Sequence, residues 1–215
     1  MPTMDKLPPE AEKAFNKYKE VYNQYTQDIR THLYDKYGVD FDVLQIREDL
    51  GNLQFIGYAR PVTQENIICT CALKMSGDIQ DDYVYQRAMA EVRNKIIDGM
   101  ENIGVPSVAS VAVIDRNRND QDHAMSFEDY IKANHAGTLL IAAALQTAPE
   151  NDKRIKELFS DLLAEYKIKV ILGLYYFAPE QFQALNESFR SGIRISFREM
   201  EEANPLYQSV FIING

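Results

Sequence analysis

The apolar pattern of the chain changes its period near residue 38, and this change limits the folds that the chain can adopt. Pro9 and Glu10 suit a helix start, and Gly38 suits a helix end. Between them apolar residues recur at steps of three or four, the spacing of one helix face: Ala11, Phe15, Tyr18, Tyr22, Tyr25, Ile29 and Leu33. From Phe41 onwards apolar and polar residues alternate, as in a half-buried strand. The sequence predicts a long helix followed by a sheet.

Tyrosine dominates the apolar face of this first helix. A tyrosine ring can pack while its hydroxyl stays in water, so we expect the helix to lie across a sheet rather than inside a core. Three strands with short connections follow and predict an antiparallel meander. They cover residue 41 to the turn at 48–52, residues 53–59 and residues 67–75.

The rest of the chain mixes helical and strand patterns. Helices are predicted at 81–103, 127–134 and 149–166 and from residue 179, and strands at 108–114, 138–146, 169–177, 193–198 and 207–213. Ser126 should cap the helix at 127–134, with Asp129 as its capping-box partner. Residues 138–146 suit either a helix or a buried strand, and we choose strand. The last two strands, joined by the acidic turn 199–202, should form a hairpin. The predicted fold class is α+β, with antiparallel sheet packed by helices.

A repeated order of elements suggests two similar α+β halves, 1–104 and 105–215. A helix, a glycine, an alternating strand and an acidic turn occur around Gly38 and again around Gly192. Helix-hairpin units are common in α+β proteins, so one compact domain is the alternative.

Charge and length exclude several classes of protein. The 215 residues hold 23 Lys and Arg against 32 Asp and Glu, a net charge of −9, which disfavours nucleic acids and anionic lipids as partners. No apolar run reaches the roughly 18 residues of a membrane span. Cys69 and Cys71 are too few for a disulfide-rich scaffold and too poorly placed for a mutual bridge. We expect two buried thiols, with a C-x-C metal or redox pair as the alternative.

One loop resembles the start of a calcium site. Asp115, Asn117 and Asn119 place oxygen ligands at alternate positions. The motif then requires glycine where Asp120 stands and glutamate where Ser126 stands, so we expect a solvated loop.

The histidines and paired carboxylates offer few candidates for chemistry. His32 lies off the apolar face of the first helix, and we expect it at the surface. His123 and His135 flank the helix at 127–134, and the acidic side chains near them make a metal or acid–base cluster conceivable: Asp120, Asp122, Glu128 and Asp129. Two acidic pairs are expected to be solvated: Asp81-Asp82 and Glu201-Glu202. No nucleophile elbow or phosphate-binding glycine loop occurs. We assign no catalytic, cofactor-binding or metal-binding residues and no cofactor.

Two stretches carry a family resemblance. The first is LYDKYGVDFDV at 33–43, which leads into the meander. The second, at 138–177, is a series of segments in a fixed order: an apolar run, the sequence PENDKRI, a helix, the sequence EYKI and an apolar strand. In these features the chain resembles a family of lipoproteins of unknown function from staphylococci and related Gram-positive bacteria. The resemblance implies attachment to the outside of the cell membrane through a lipid on a cysteine that follows a signal peptide. That cysteine has no counterpart here, as expected if the signal segment has been removed. The resemblance supplies no catalytic residues.

These observations favour a non-enzymatic, extracytoplasmic domain that binds an unidentified ligand or partner. One alternative is a cytoplasmic hydrolase or metal-dependent enzyme that uses His123, His135 and the neighbouring acidic loop. Another is an interaction protein whose first helix forms a dimer face through Tyr18 and Tyr25. The oligomeric state stays open.

Overall fold

The chain has an α+β fold, and its described residues form two four-stranded sheets. A computed structural model describes residues 8–64, 66–114, 126–134, 138–146, 152–190 and 197–213. The chain divides into two compact units, one ending at Asp82 and the other beginning at Tyr83.

The first unit consists of one long helix and an antiparallel meander. Its elements are α1 (Pro9–Tyr37), β1 (Phe41–Asp49), β2 (Gln54–Pro61), β3 (Cys69–Lys74) and β4 (Ile79–Asp81). The strand order is β1-β2-β3-β4, and every neighbouring pair is antiparallel. The predicted long helix and three-strand meander are confirmed. The short fourth strand was missed, because a three-residue strand shows no period.

Helix α1 ends where the sequence predicts. Gly38 adopts the left-handed conformation, with φ of 66°, and its N–H donates to the carbonyl oxygen of Tyr34 at 2.7 Å. Glycine adopts this conformation without the steric cost that a Cβ would add. The chain can therefore turn back sharply and enter β1 three residues later.

The second half of α1 packs on the sheet of its own unit. Ile29 and Leu33 are fully buried. A Cβ at Gly57 of β2 would lie 2.3 Å from Ile29 Cδ1, so glycine at this position leaves room for the end of the buried Ile29 side chain. The ring centroids of Tyr25 and Phe55 are 4.4 Å apart. The expectation that this helix lies across a sheet is confirmed for these turns.

The second unit contains a mixed sheet with helices. Its elements are α2 (Tyr83–Asn102), β5 (Ser107–Ile114), α3 (Phe127–Asn134), β6 (Thr138–Leu145), α4 (Asp152–Leu163), a 3₁₀ turn (Ala164–Tyr166), β7 (Lys169–Tyr176), α5 (Pro179–Arg190), α6 (Phe197–Glu202) and β8 (Tyr207–Ile213). The strand order is β5-β6-β7-β8. Only β6 and β7 are parallel, because α4 lies between them in the chain and forms a crossover connection. The strand predicted at 138–146 is confirmed.

One prediction about the second unit needs correction. Phe197–Glu202, expected to end a strand and form an acidic turn, is helix α6. Arg198 and Glu202 form an i,i+4 ion pair at 2.6 Å, and Met200 is fully buried, so local pairing and burial both favour helix. Strand β8 pairs with β7. Residues 193–196 lie outside the described residues, so the predicted hairpin between 193–198 and β8 stays a prediction apart from its helical end at 197–198.

The boundary between the units lies earlier than the predicted boundary at 104/105. Helix α2 belongs to the second unit, where it packs against β5, α3 and α4. A Cβ at Gly99 would lie 2.8 Å from Leu162 Cδ1, which shows how closely α2 approaches α4. The two sheets also differ in topology, since one is wholly antiparallel and the other contains a parallel pair.

Candidate functional site

The amino-terminal half of α1 leaves a row of apolar side chains in solvent. Phe15 is 57% exposed, Tyr18 is 58% exposed and Val21 is 38% exposed, while Tyr22 is half-buried. We call these four residues the α1 aromatic face. They continue the helical spacing that buries Ile29 and Leu33 two turns further on. The helix pattern is therefore uniform, but burial is not, because Phe15 and Tyr18 stay more than half exposed.

Lysines lie on both sides of this face, since Lys17 follows Val21 and Lys19 follows Phe15 around the helix. Lys13, Lys17 and Lys19 are exposed, and residues 13–19 contain no acidic side chain. The whole chain, by contrast, carries a net charge of −9. Glu12 and Glu20 stand just outside this run. The α1 aromatic face is thus a locally basic, apolar surface on an acidic protein.

A narrow cleft separates this helix from the sheet of the first unit. Its walls come from α1, β1 and β2, and its volume is about 20 Å³, which is room for about one water molecule. The lining residues are Tyr18, Val21, Tyr22, Tyr25, Ile46, Arg47, Glu48 and Phe55. The cleft cannot hold a small-molecule ligand, so this region offers an open surface and not a pocket.

A buried carboxylate fixes the other end of α1 to the sheet. The Asp81 side chain, at the end of β4, is fully buried and lies 2.9 Å from His32 Nε2. It also accepts hydrogen bonds from Lys36 Nζ at 2.8 Å and from the Tyr37 hydroxyl at 2.6 Å. These contacts position α1 over β4 and thereby set the direction in which the α1 aromatic face projects.

Burial and hydrogen bonding act in opposite directions on Asp81. Burial alone would raise the pKa of this carboxyl, because it removes a charge from water. Hydrogen bonds with His32, Lys36 and Tyr37 favour the ionised form and outweigh burial, so the pKa lies well below its usual range. Asp81 is therefore a charged anchor, and its three partners leave it no evident role in proton transfer.

Two of the sequence interpretations are wrong here. His32 was expected at the surface, yet it is half-buried against Asp81, because the position just off the apolar stripe faces the end of β4. Asp81 was expected to be solvated with Asp82, yet it is buried, and Asp82 accepts a hydrogen bond from the Thr70 backbone N–H at 2.6 Å. The spacing of His32, Lys36 and Tyr37 on one side of α1 was the available signal, but it does not name the acidic partner.

The two thiols lie where the sequence predicts. Cys69 and Cys71 are free and fully buried on one face of β3. The hydrogen bond with Cys69, together with burial, raises the pKa of the Cys71 thiol, so neither metal binding nor nucleophilic chemistry is favoured there. The described residues hold no group of three or more side chains suited to a metal ion.

The remaining candidates divide between described and undescribed parts of the chain. His123, His135 and the loop from Asp115 to Asp122 lie outside the described residues, so the metal or hydrolase hypothesis stays a prediction. Ser126 Oγ accepts from the Asp129 N–H at 3.1 Å, which confirms the predicted cap of α3. Glu201 and Glu202 lie on α6 and are exposed.

The second unit contains two further polar clusters. Asp152, at the start of α4, accepts hydrogen bonds from the Tyr176 and Ser209 hydroxyls and so links β7 and β8. Burial, with the nearby carboxylate, raises the pKa of Tyr176. In the other cluster, Lys95 Nζ lies 2.8 Å from Glu165 Oε1. The polar groups of both clusters pair with each other, so we interpret the clusters as structural.

Comparisons with known proteins show the fold alone. No family model and no curated protein matches the chain. A crystal structure of a DUF5037 family protein from Ruminococcus gnavus ATCC 29149 is similar, with a TM-score of 0.61 and 13% sequence identity. The match covers 89% of this chain and 92% of that chain. This likeness supports the α+β fold and leaves the resemblance to staphylococcal lipoproteins a prediction.

Proposed function

We propose that this protein is a non-enzymatic domain that binds another protein through the α1 aromatic face. The observation that carries the proposal is the exposure of Phe15 and Tyr18, each more than half in solvent on a helix whose later turns are buried. Adjacent exposed aromatics are uncommon on a surface without a partner, since each can bury about 150–250 Å². Aromatic side chains are also the residues that most often carry binding energy in interfaces.

The chemistry of the face indicates the kind of partner. The cleft beneath it is too small for a ligand, so binding must occur on the open helix surface. A complementary surface would be apolar at its centre, to cover Phe15 and Tyr18, and acidic at its rim, to meet Lys17 and Lys19. An amphipathic helix with an acidic border has this pattern, and it would pack along α1.

Affinity capture followed by titration tests the proposal. Immobilised wild-type protein and a Phe15→Ser, Tyr18→Ser variant are compared in extracts of the source cells, and proteins retained only by wild type are purified and titrated. We expect the double variant to weaken binding at least about tenfold, because two aromatic anchors are lost. Lys17→Glu should weaken binding less, and mainly at low salt.

A matched control separates the face from general surface effects. Leu50→Ser and Met75→Ser remove apolar side chains that are 77% and 79% exposed elsewhere in the first unit. These changes should leave binding unaltered. The proposal fails if no protein binds in a manner that depends on Phe15 and Tyr18, or if the control changes are equally damaging.

We also propose that the domain acts outside the cytoplasmic membrane and is held there by a lipid. The support is the resemblance carried by residues 33–43 and 138–177. No helix in the described part of the chain is both long and apolar enough to cross a membrane. Intact-mass measurement of the native protein from fractionated cells tests this point. A lipid-modified cysteine in the membrane fraction is expected, and an unmodified protein in the soluble fraction would contradict it.

A further inference from the structure

Strand β8 is an edge strand with an apolar, uncharged sequence. It is the last strand in the order β5-β6-β7-β8 and pairs only with β7 among the described strands. Its seven residues, YQSVFII, contain no charged residue and no proline. The register with β7 is regular from Tyr207 to Ile213, so no bulge turns the edge away. Edge strands usually carry such protection, because their free backbone groups can pair with another strand.

The other edge strands that the structure describes differ from β8. Strand β1 carries four charged residues in nine: Asp42, Arg47, Glu48 and Asp49. Strand β4 has only three residues. Strand β5 is uncharged, but α2 and α5 pack against it, and its described side chains from 107 to 112 are buried or half-buried. Among the described edge strands, β8 therefore combines a length of seven residues, absence of charge and exposed apolar side chains, which suits it to pair with another strand.

An apolar strip on the sheet face continues to this edge. Val210 is 60% exposed and Ile212 is 57% exposed on the same face of β8. Ile212 stands opposite Ile171 of β7, and Ile171 stands opposite Leu140 of β6. The last two are half-buried. A strand added beside β8 would extend this strip and cover part of its exposed surface.

We infer that two copies of this chain pair through β8 in an antiparallel, two-fold symmetric dimer. Identical strands of an acidic protein would repel each other if they carried charge, but residues 207–213 carry none. A two-fold axis at Val210, the midpoint of the strand, uses all seven residues and places Gln208 opposite Ile212 of the second copy. The exposed apolar side chains of both copies then share one face. Such pairing uses both free edges and therefore stops at a dimer.

This inference goes beyond the proposed function and uses a different unit of the chain. Sedimentation velocity from low-micromolar to near-millimolar protein should show a rise from the 24.7 kDa monomer towards twice that mass. A Val210→Lys, Ile212→Lys variant should weaken dimerisation at least about tenfold, because it places charges on a strand edge. Leu50→Lys, a matched change at an exposed leucine, should leave the mass unaltered.

Single cysteines locate the axis. Directly opposed residues of an antiparallel pair have Cα atoms about 4.5–5.5 Å apart, within reach of a disulfide. Val210→Cys should therefore form a covalent dimer on mild oxidation. Ile212→Cys should not, because its counterpart is displaced by four residues, about 13 Å along the strand.

Three outcomes would overturn the inference. They are a wild-type protein that stays monomeric throughout the concentration range, unaltered association of the lysine variant, and equal cross-linking of the two cysteine variants. A monomeric wild type would leave β8 open to an extended segment of another protein. The Phe15→Ser, Tyr18→Ser variant should dimerise as wild type does, so failure here is distinguishable from failure of the proposed function.

Discussion

At the scale of single residues, Asp81 joins three side chains of α1 to the end of β4. We expect Asp81→Asn to lower the free energy of unfolding by about 3 kcal/mol, because it removes a buried charge on which three donors converge. An asparagine side chain has one acceptor oxygen, and its NH2 group can only donate, so at least one donor loses its partner. Urea unfolding followed by far-ultraviolet circular dichroism measures the change.

Asp42→Asn is the control for this prediction. The Asp42 side chain is 50% exposed and lies 4.0 Å from Arg30, so its charge contributes little. We expect a change within about 0.5 kcal/mol. Equal effects of the two substitutions would show that Asp81 is not an anchor.

The two buried thiols lead to a second prediction at this scale. Cys69 and Cys71 are fully buried, and hydrogen bonding and burial raise the pKa of the Cys71 thiol. The native protein should therefore resist alkylation by iodoacetamide at pH 8, and both thiols should react in urea. Intact-mass spectrometry counts the adducts. Rapid labelling of the native protein would mean that β3 is accessible.

At the scale of secondary-structure elements, the contact of α1 with β2 depends on the absence of a Cβ at Gly57. Gly57→Ala should cost about 1–3 kcal/mol, because the new methyl group would meet Ile29 Cδ1. Ile29→Val removes that atom and should itself cost about 0.5–1.5 kcal/mol. In the Ile29→Val background the cost of Gly57→Ala should fall by at least about 1 kcal/mol.

A double-mutant cycle in urea measures this coupling. Gly51→Ala is the control, because a Cβ at that turn position would meet only Asp49 Oδ1, at 3.6 Å. Its effect should be the same in both backgrounds. Additive effects of Gly57→Ala and Ile29→Val would contradict close packing of α1 on β2.

The sequence predicts elements well where their period is long and uniform. Helix α1, the meander and the strands β6 and β7 were all expected, because each has many residues in one pattern. The parallel pairing of β6 with β7 was not, because sheet order was left open. Strand β4 and helix α6 were not, because three and six residues leave no measurable period. The apolar stripe of α1 also gave no sign that Phe15 and Tyr18 stay exposed, since burial depends on whether the sheet extends beneath them.

At the scale of the whole molecule, the candidate sites show what the sequence could not provide. The tyrosine-rich face of α1 was visible as a pattern. The partnership of Asp81 with His32 joins residues 49 positions apart, and a solvated acidic pair at 81–82 was the natural expectation from local sequence. Electrostatic pairs between residues far apart in sequence depend on the fold, whereas composition gives only the net charge of the chain.

The pH dependence of unfolding tests the contribution of the Asp81 charge to the stability of the first unit. Asp81 has its pKa held below the ordinary value of 3.8, so the folded state keeps this carboxyl ionised while the unfolded chain takes up a proton. Its contribution to stability is fully present well above pH 3.8 and is lost as the pH falls below that value. We expect the free energy of unfolding to fall by up to about 1.4 kcal/mol per pH unit in that range from this one group.

The Asp81→Asn variant isolates this contribution from those of other carboxylates. Asp49, whose pKa is lowered by hydrogen bonds from Asn52 and Gln54, titrates in both proteins and cancels in the difference. Urea unfolding at pH 6, 5, 4 and 3 should give a constant difference between wild type and variant at the upper values. The difference should then shrink towards pH 3, because the unfolded wild-type chain takes up a proton at Asp81 while the folded state stays ionised, and asparagine does not titrate. A difference that is independent of pH would mean that Asp81 stabilises the first unit through its shape and not through its charge.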